Sequence, residues 1–125
     1  MALATGVCYR WGMLVYKILR DSEWRELQRA GELAGAPIDL ADGFVHLSTG
    51  AQVVETAARH FAGVADLQLV AFDAERLGDA LRWEPSRGGA LFPHLYRALR
   101  LDEAAWSQPL PLDGERHRFP PLDEQ

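Results

Sequence analysis

The chain reads as an α+β domain with a mixed or antiparallel sheet. Three observations point there. Its 125 residues are the size of one domain. Strand-like and helix-like runs alternate only in the first half, and the second half is a series of strands with short connections. A parallel sheet needs a long crossover between paired strands, and those connections are too short for one. Finally, only two segments, after Asp21 and after Thr49, carry the caps and apolar spacing of main helices.

Residues 1–12 lack the basic-then-apolar order of a leader peptide. The first strand-like run starts at Met13, so residues 1–12 are expected to be an extension ahead of a core domain over 13–101. Met13 to Leu19 is β-branched and aromatic and predicts a strand. Tyr16 and Ile18 fall on one face, Val15, Lys17 and Leu19 on the other. Lys17 therefore sits on an apolar face, either snorkelling to water at a strand end or aimed as a cation into a cleft. Asp21 predicts a helix N-cap and Gly31 its end, with Trp24 and Leu27 on the buried side. Residues 32–40 predict irregular chain punctuated by Gly35 and Pro37.

The run from Asp42 to Thr49 is the most pointed stretch. An Asp-Gly turn opens into a short apolar run that carries His46 and ends at Ser48-Thr49. Thr49 and Gln52 form a capping box for a helix to about Phe61. Its apolar stripe is Val53, Val54, Ala57, Ala58 and Phe61, with His60 at the edge. Leu67 to Asp73 is almost continuously apolar and predicts a central strand. Leu81 to Glu84 alternates as a short strand. Residues 85–89 are a loop whose two glycines let backbone approach a ligand. The last clear strand follows, over 92–99. Four prolines after Ser107 predict a loop-like tail with a hairpin at Asp113-Gly114, and residues 102–125 are expected as an extension packed on the core.

Bulk properties exclude several classes. A net charge of −5 lacks the basic face that broad nucleic-acid binding needs. It leaves room for a small nucleotide, held by one or two cations and a helix N-terminus. The single cysteine, Cys8, cannot form a disulfide within the chain, which fits a reducing cytoplasm. No apolar run reaches the ~20 residues of a membrane helix.

The residues able to carry chemistry are Lys17, His46, Ser48, Trp83, Glu84, Arg87, His94 and Tyr96. Most have a plain alternative. Ser48 fits a helix cap, Trp83 fits the core, Glu84 and Arg87 fit a solvated pair, and His46 fits a core imidazole bonded to a carbonyl. His94 is held rigidly by Pro93 beside Leu95 and Tyr96. No histidine pair has zinc-ligand spacing, so no metal is expected. Nucleophile elbow, Walker loop and dinucleotide fingerprint are absent. What remains is a metal-free site. Imidazoles would bond a sugar or move a proton, Arg87 would meet a phosphate, and Trp83 or Tyr96 would stack on a ring.

Five segments carry a resemblance: Val-Tyr-Lys-Ile at 15–18, the Trp24 helix, Asp-Gly-Phe-Val-His-Leu-Ser at 42–48 with Gln52, Leu-Arg-Trp-Glu at 81–84, and Phe-Pro-His-Leu-Tyr at 92–96. Together they resemble the bacterial family known as domain of unknown function 952, over about 13–101. That resemblance implies an ADP-ribosyltransferase-like fold, two facing sheets around a cleft for NAD or a related nucleotide, with NAD as a substrate. It places His46 on the second strand of a catalytic triad and Tyr16 and Lys17 on the first, with His94 and Tyr96 near the third. Those transferases commonly carry a glutamate at the third position. This chain has none there, and Glu84 on the preceding strand is the nearest substitute. A second reading therefore stays open, a non-enzymatic module that binds a small molecule or a partner.

Overall fold

The computed structural model describes residues 13–122, apart from the side chain of Arg87. Residues 1–12, expected as an extension, lie outside the described residues. The chain folds as an α+β unit with antiparallel pairing throughout the described sheets. The strands are β1 (Leu14–Leu19), β2 (Glu32–Leu33), β3 (Val45–His46), β4 (Ser48–Thr49), β5 (Leu67–Asp73), β6 (Leu81–Pro85), β7 (Leu91–Leu95), β8 (Leu99–Arg100), β9 (Ala104–Leu110), β10 (Leu112–Asp113) and β11 (Arg116–His117). The helices are α1 (Asp21–Ala30), α2 (Pro37–Asp42), α3 (Gly50–His60) and α4 (Ala74–Leu77).

The main sheet has the order β4-β1-β5-β9 and a second, three-stranded sheet the order β3-β7-β6. Strand periodicity splits the main sheet's side chains between two cores. Val15, Leu19, Val70 and Phe72 meet Leu27 of α1, Val45 and Leu95 of the second sheet, and Leu47 between β3 and β4. On the other face Tyr16, Ile18, Leu69 and Ala71 pack on Val53 and Ala57 of α3 and on Leu110. A sheet buried on both faces explains why β5 is apolar almost without alternation. Each fully buried aliphatic side chain contributes roughly 1.5–3 kcal/mol.

Three local expectations are corrected. Residues 37–42 form a helix where irregular chain is expected. Pro37 occupies its first turn, where a missing N–H costs nothing, and Gly43 closes it in the left-handed region at φ 87°. The chain from Ala104 to Leu110 is a strand on β5, although a loop is expected from Ser107. Pro109 is tolerated because β9 is an edge strand. On α3 the apolar stripe is narrower than expected. Val53 and Ala57 are buried, while Val54 and Ala58 face solvent. The hairpin at Asp113-Gly114 forms as β10–β11, with Gly114 at φ 72°. Among the described residues no helix is long and apolar enough to cross a membrane.

Candidate functional site: a pair of oriented histidines

Antiparallel register sets His46 of β3 directly opposite His94 of β7. Directly opposed residues share a sheet face, and these two rings lie 5.5 Å apart, edge to face. Both line one pocket of about 430 Å³. Phe44, two residues before His46 and therefore on the same face, stacks on His94 at 4.1 Å.

Each imidazole is held by a carboxylate. His46 Nδ1 lies 2.6 Å from Asp39 Oδ1, and the His46 backbone N–H donates to the same oxygen at 3.0 Å. Asp39 Oδ2 accepts from Lys17 Nζ at 2.8 Å and from the Ala36 backbone N–H at 2.8 Å. The Asp39 side chain is fully buried. Burial alone would raise its carboxyl pKa. The hydrogen bond from His46 and the Lys17 charge outweigh that and hold it well below the usual carboxylate range. An ionised carboxylate can only accept, so His46 carries a proton on Nδ1 toward Asp39.

His94 Nδ1 lies 2.8 Å from Glu84 Oε1, which also accepts from the Tyr96 hydroxyl at 2.7 Å. The bond from His94 and then that from Tyr96 lower the Glu84 carboxyl from its ordinary value, and the bond to Glu84 raises the Tyr96 phenol. Glu84 and His94 face each other because β6 and β7 pair with Arg82 opposite His94 and Glu84 opposite Phe92, all on one face. His94 itself is 5% exposed. Its carboxylate-bound Nδ1 fixes the ring, which lines the pocket.

The nine predicted site residues divide. Tyr16, Lys17, His46, Ser48 and His94 line the pocket. Glu84 and Tyr96 act behind His94 and are not lining residues, and neither is Trp83, which is 38% exposed and pairs with Pro93. The side chain of Arg87 lies outside the described residues. Four structural alternatives for these residues do not hold: Trp83 is exposed and not core, and the His46 ring meets carboxylates and not a backbone carbonyl. Lys17 does not snorkel: its ammonium is buried on Asp39 and donates to the His46 carbonyl at 3.0 Å. Ser48 does not cap α3: its hydroxyl meets Thr56 Oγ1, and the Thr49 N–H is capped by Gln52 Oε1 instead.

Sequence reasoning missed Asp39, the hub of the site. The signal is inverted patterning in Ile38-Asp39-Leu40. Both aliphatic residues are 62% exposed, while the acid between them is 2% exposed. Pro37 and Gly43 bracket the segment as a short helix, with Asp39 at the third position, where an acid reaches back to the cap N–H. Among the described residues no group of three or more His, Cys, Asp or Glu is placed to hold a metal ion.

Comparison with solved structures bears on the fold. The chain is similar to protein CC0527 from Caulobacter crescentus. Its crystal structure is 50% identical with a TM-score of 0.81, over 84% of this chain and 93% of that one. A crystal structure of a double mutant of CC0527 matches at 49% identity and the same TM-score of 0.81. Its solution NMR structure is 51% identical with a TM-score of 0.75, over 83% and 90% of the two chains. No curated protein matches. The family model described as "Protein of unknown function (DUF952)" matches residues 18–107, from β1 into β9 and across both histidine strands. The chain belongs to the DUF952 family.

Proposed function

We propose that the pocket binds NAD or a related nucleotide, with the two imidazoles at the ribose. The observation that carries this reading is the pair itself. Two rings in register on adjacent strands, each fixed by a carboxylate, face one pocket of about 430 Å³. That volume lies at the lower end of the ligand-pocket range of ~300–1,000 Å³. It suits a mononucleotide part better than a whole dinucleotide.

The lining supports the choice of ligand. Arg20 supplies a cation for phosphate, while Phe61 and Phe92 supply aromatic wall. Imidazoles exchange hydrogen bonds with sugar hydroxyls and move protons near neutral pH. The ADP-ribosyltransferase-like fold that the family resemblance implies would fit the same ligand. If the site is catalytic, the chemistry is loss of nicotinamide through an oxocarbenium-like centre, with His94 as the acid or base oriented by Glu84.

One observation favours a second reading, a binding module without turnover. Glu84 is engaged by His94 and Tyr96 and lies outside the pocket lining, so no glutamate there meets a ribose hydroxyl directly. Calorimetric titration with NAD and ADP-ribose tests the shared claim. Saturable heat is expected, and an intact fold that gives none at millimolar ligand would sink the nucleotide reading. The His94→Ala variant then separates the two. Loss of a turnover with binding retained supports the enzyme, and a change in affinity alone supports the module.

A further inference from the structure

We infer that the pocket contains a subsite for a phosphate oxygen at His46 Nε2, and that the Asp42 carboxylate fills it until a ligand arrives. The identification of the oxyanion as phosphate rests on the nucleotide reading; the position of the subsite does not.

The two ring nitrogens of His46 meet two very different carboxylates. Asp39 holds Nδ1 from behind, is fully buried and gathers donors from His46, Lys17 and Ala36. That contact fixes the ring plane, so Nε2 points toward the pocket that His46 lines. There Nε2 meets Asp42 Oδ2 at 3.0 Å. With a proton on each nitrogen the ring donates to both carboxylates, Asp39 behind and Asp42 in front. Asp42 is built to be replaceable. Its side chain is 45% exposed, and it is the last residue of the six-residue helix α2, next to left-handed Gly43. Exposed ion pairs of this kind are weak, so exchanging this oxygen for a ligand's costs little.

The surroundings favour an anion. Among the described lining residues Asp42 is the only carboxylate; Lys17, paired with buried Asp39, Arg20, paired loosely with Glu23, and three histidines are the side chains there that carry or can take up a positive charge. In the protonated ring, removing Asp42 from Nε2 leaves a fixed N–H with no acceptor. A phosphate oxygen satisfies that group with a charge-assisted hydrogen bond. An uncharged nucleoside gains nothing from it.

The test titrates wild type, Asp42→Asn and Asp113→Asn with pyrophosphate, ADP-ribose and adenosine, with backbone amide spectra confirming the fold. Asp113 lies in the tail hairpin, so its variant matches the change in net charge away from the pocket. The subsite predicts that Asp42→Asn binds pyrophosphate and ADP-ribose about two- to fivefold more tightly than wild type, the scale of a removed exposed charge contact. Adenosine affinity and the Asp113→Asn variant should stay at wild-type values. Unchanged or weaker phosphate binding in Asp42→Asn overturns the inference, as does an equal gain in Asp113→Asn. Tighter pyrophosphate with no ADP-ribose binding in either protein keeps the subsite and removes the nucleotide reading. ADP-ribose binding that Asp42→Asn leaves unchanged does the reverse. Silence toward both phosphates in wild type and Asp42→Asn removes both.

Discussion

Asp39 does more than any other residue to shape the site, and it does so as a buried charge. Its carboxylate is paired with Lys17 and serves four donors from three parts of the chain. Breaking a buried pair by removing one partner costs about 3–5 kcal/mol, because the other charge is stranded. Asp39→Asn should therefore lower the urea midpoint strongly by stranding Lys17. The double variant Lys17→Met, Asp39→Asn should recover a substantial part, since it leaves no buried charge unpaired. A double variant no more stable than the single would mean that Lys17 is not the residue stranded. The pH dependence has a definite sign. Asp39 is depressed on folding, so its stabilisation is fully present above its unfolded value of about 3.9 and is lost as pH falls below that value. The Asp39→Asn variant should lose that part of the acid-induced fall in stability.

At the scale of elements, the short segment 35–43 turns a sequence that looks like loop into the back wall of the pocket. Gly35 makes it possible. It sits at φ 138°, and a Cβ added there would stand 2.6 Å from the Asp39 Cβ and 3.0 Å from its Oδ2. Gly35→Ala should push the carboxylate off Ala36 and His46 at a cost of roughly 1–3 kcal/mol. Gly63→Ala is the contrast, because Gly63 is also left-handed at φ 73° but has nothing within 4 Å of an added Cβ. Its cost should be confined to backbone strain, about 1 kcal/mol. Thermal melts of the two variants measure the difference, and equal losses would remove the special role of Gly35. The same segment shows where the sequence stops being readable. β1, α1, α3 and β5 announce themselves through apolar periodicity, although the N-cap of α1 is Arg20, whose N–H donates to Glu23, and not Asp21, which is the first helical residue. In α2 the periodic signal runs backwards, with Ile38 and Leu40 outside and Asp39 inside, because tertiary hydrogen bonding outweighs side-chain transfer. β9 is hidden for another reason: an edge strand accepts prolines that a central strand would reject.

For the molecule as a whole, the fold brings distant motifs together by register. His46 and His94 stand far apart along the chain, and a single antiparallel pairing makes them neighbours. That they belong to one family motif set is legible from the sequence; that they face each other across two strands is not, since no local pattern fixes a partner strand. The carboxylates behind them are half legible. Glu84 stands out on an alternating strand, whereas Asp39 is masked by its aliphatic neighbours. The central claim is that the two imidazoles form a single ligand-binding unit. Nitrogen-15 imidazole spectra, recorded while ADP-ribose is added, test it most directly. The His46 and His94 resonances should shift together along one saturable curve, while His117, bonded to the Val64 carbonyl in the tail, stays still. Shifts of neither ring at saturating millimolar ligand, or of all the histidines alike, would contradict it.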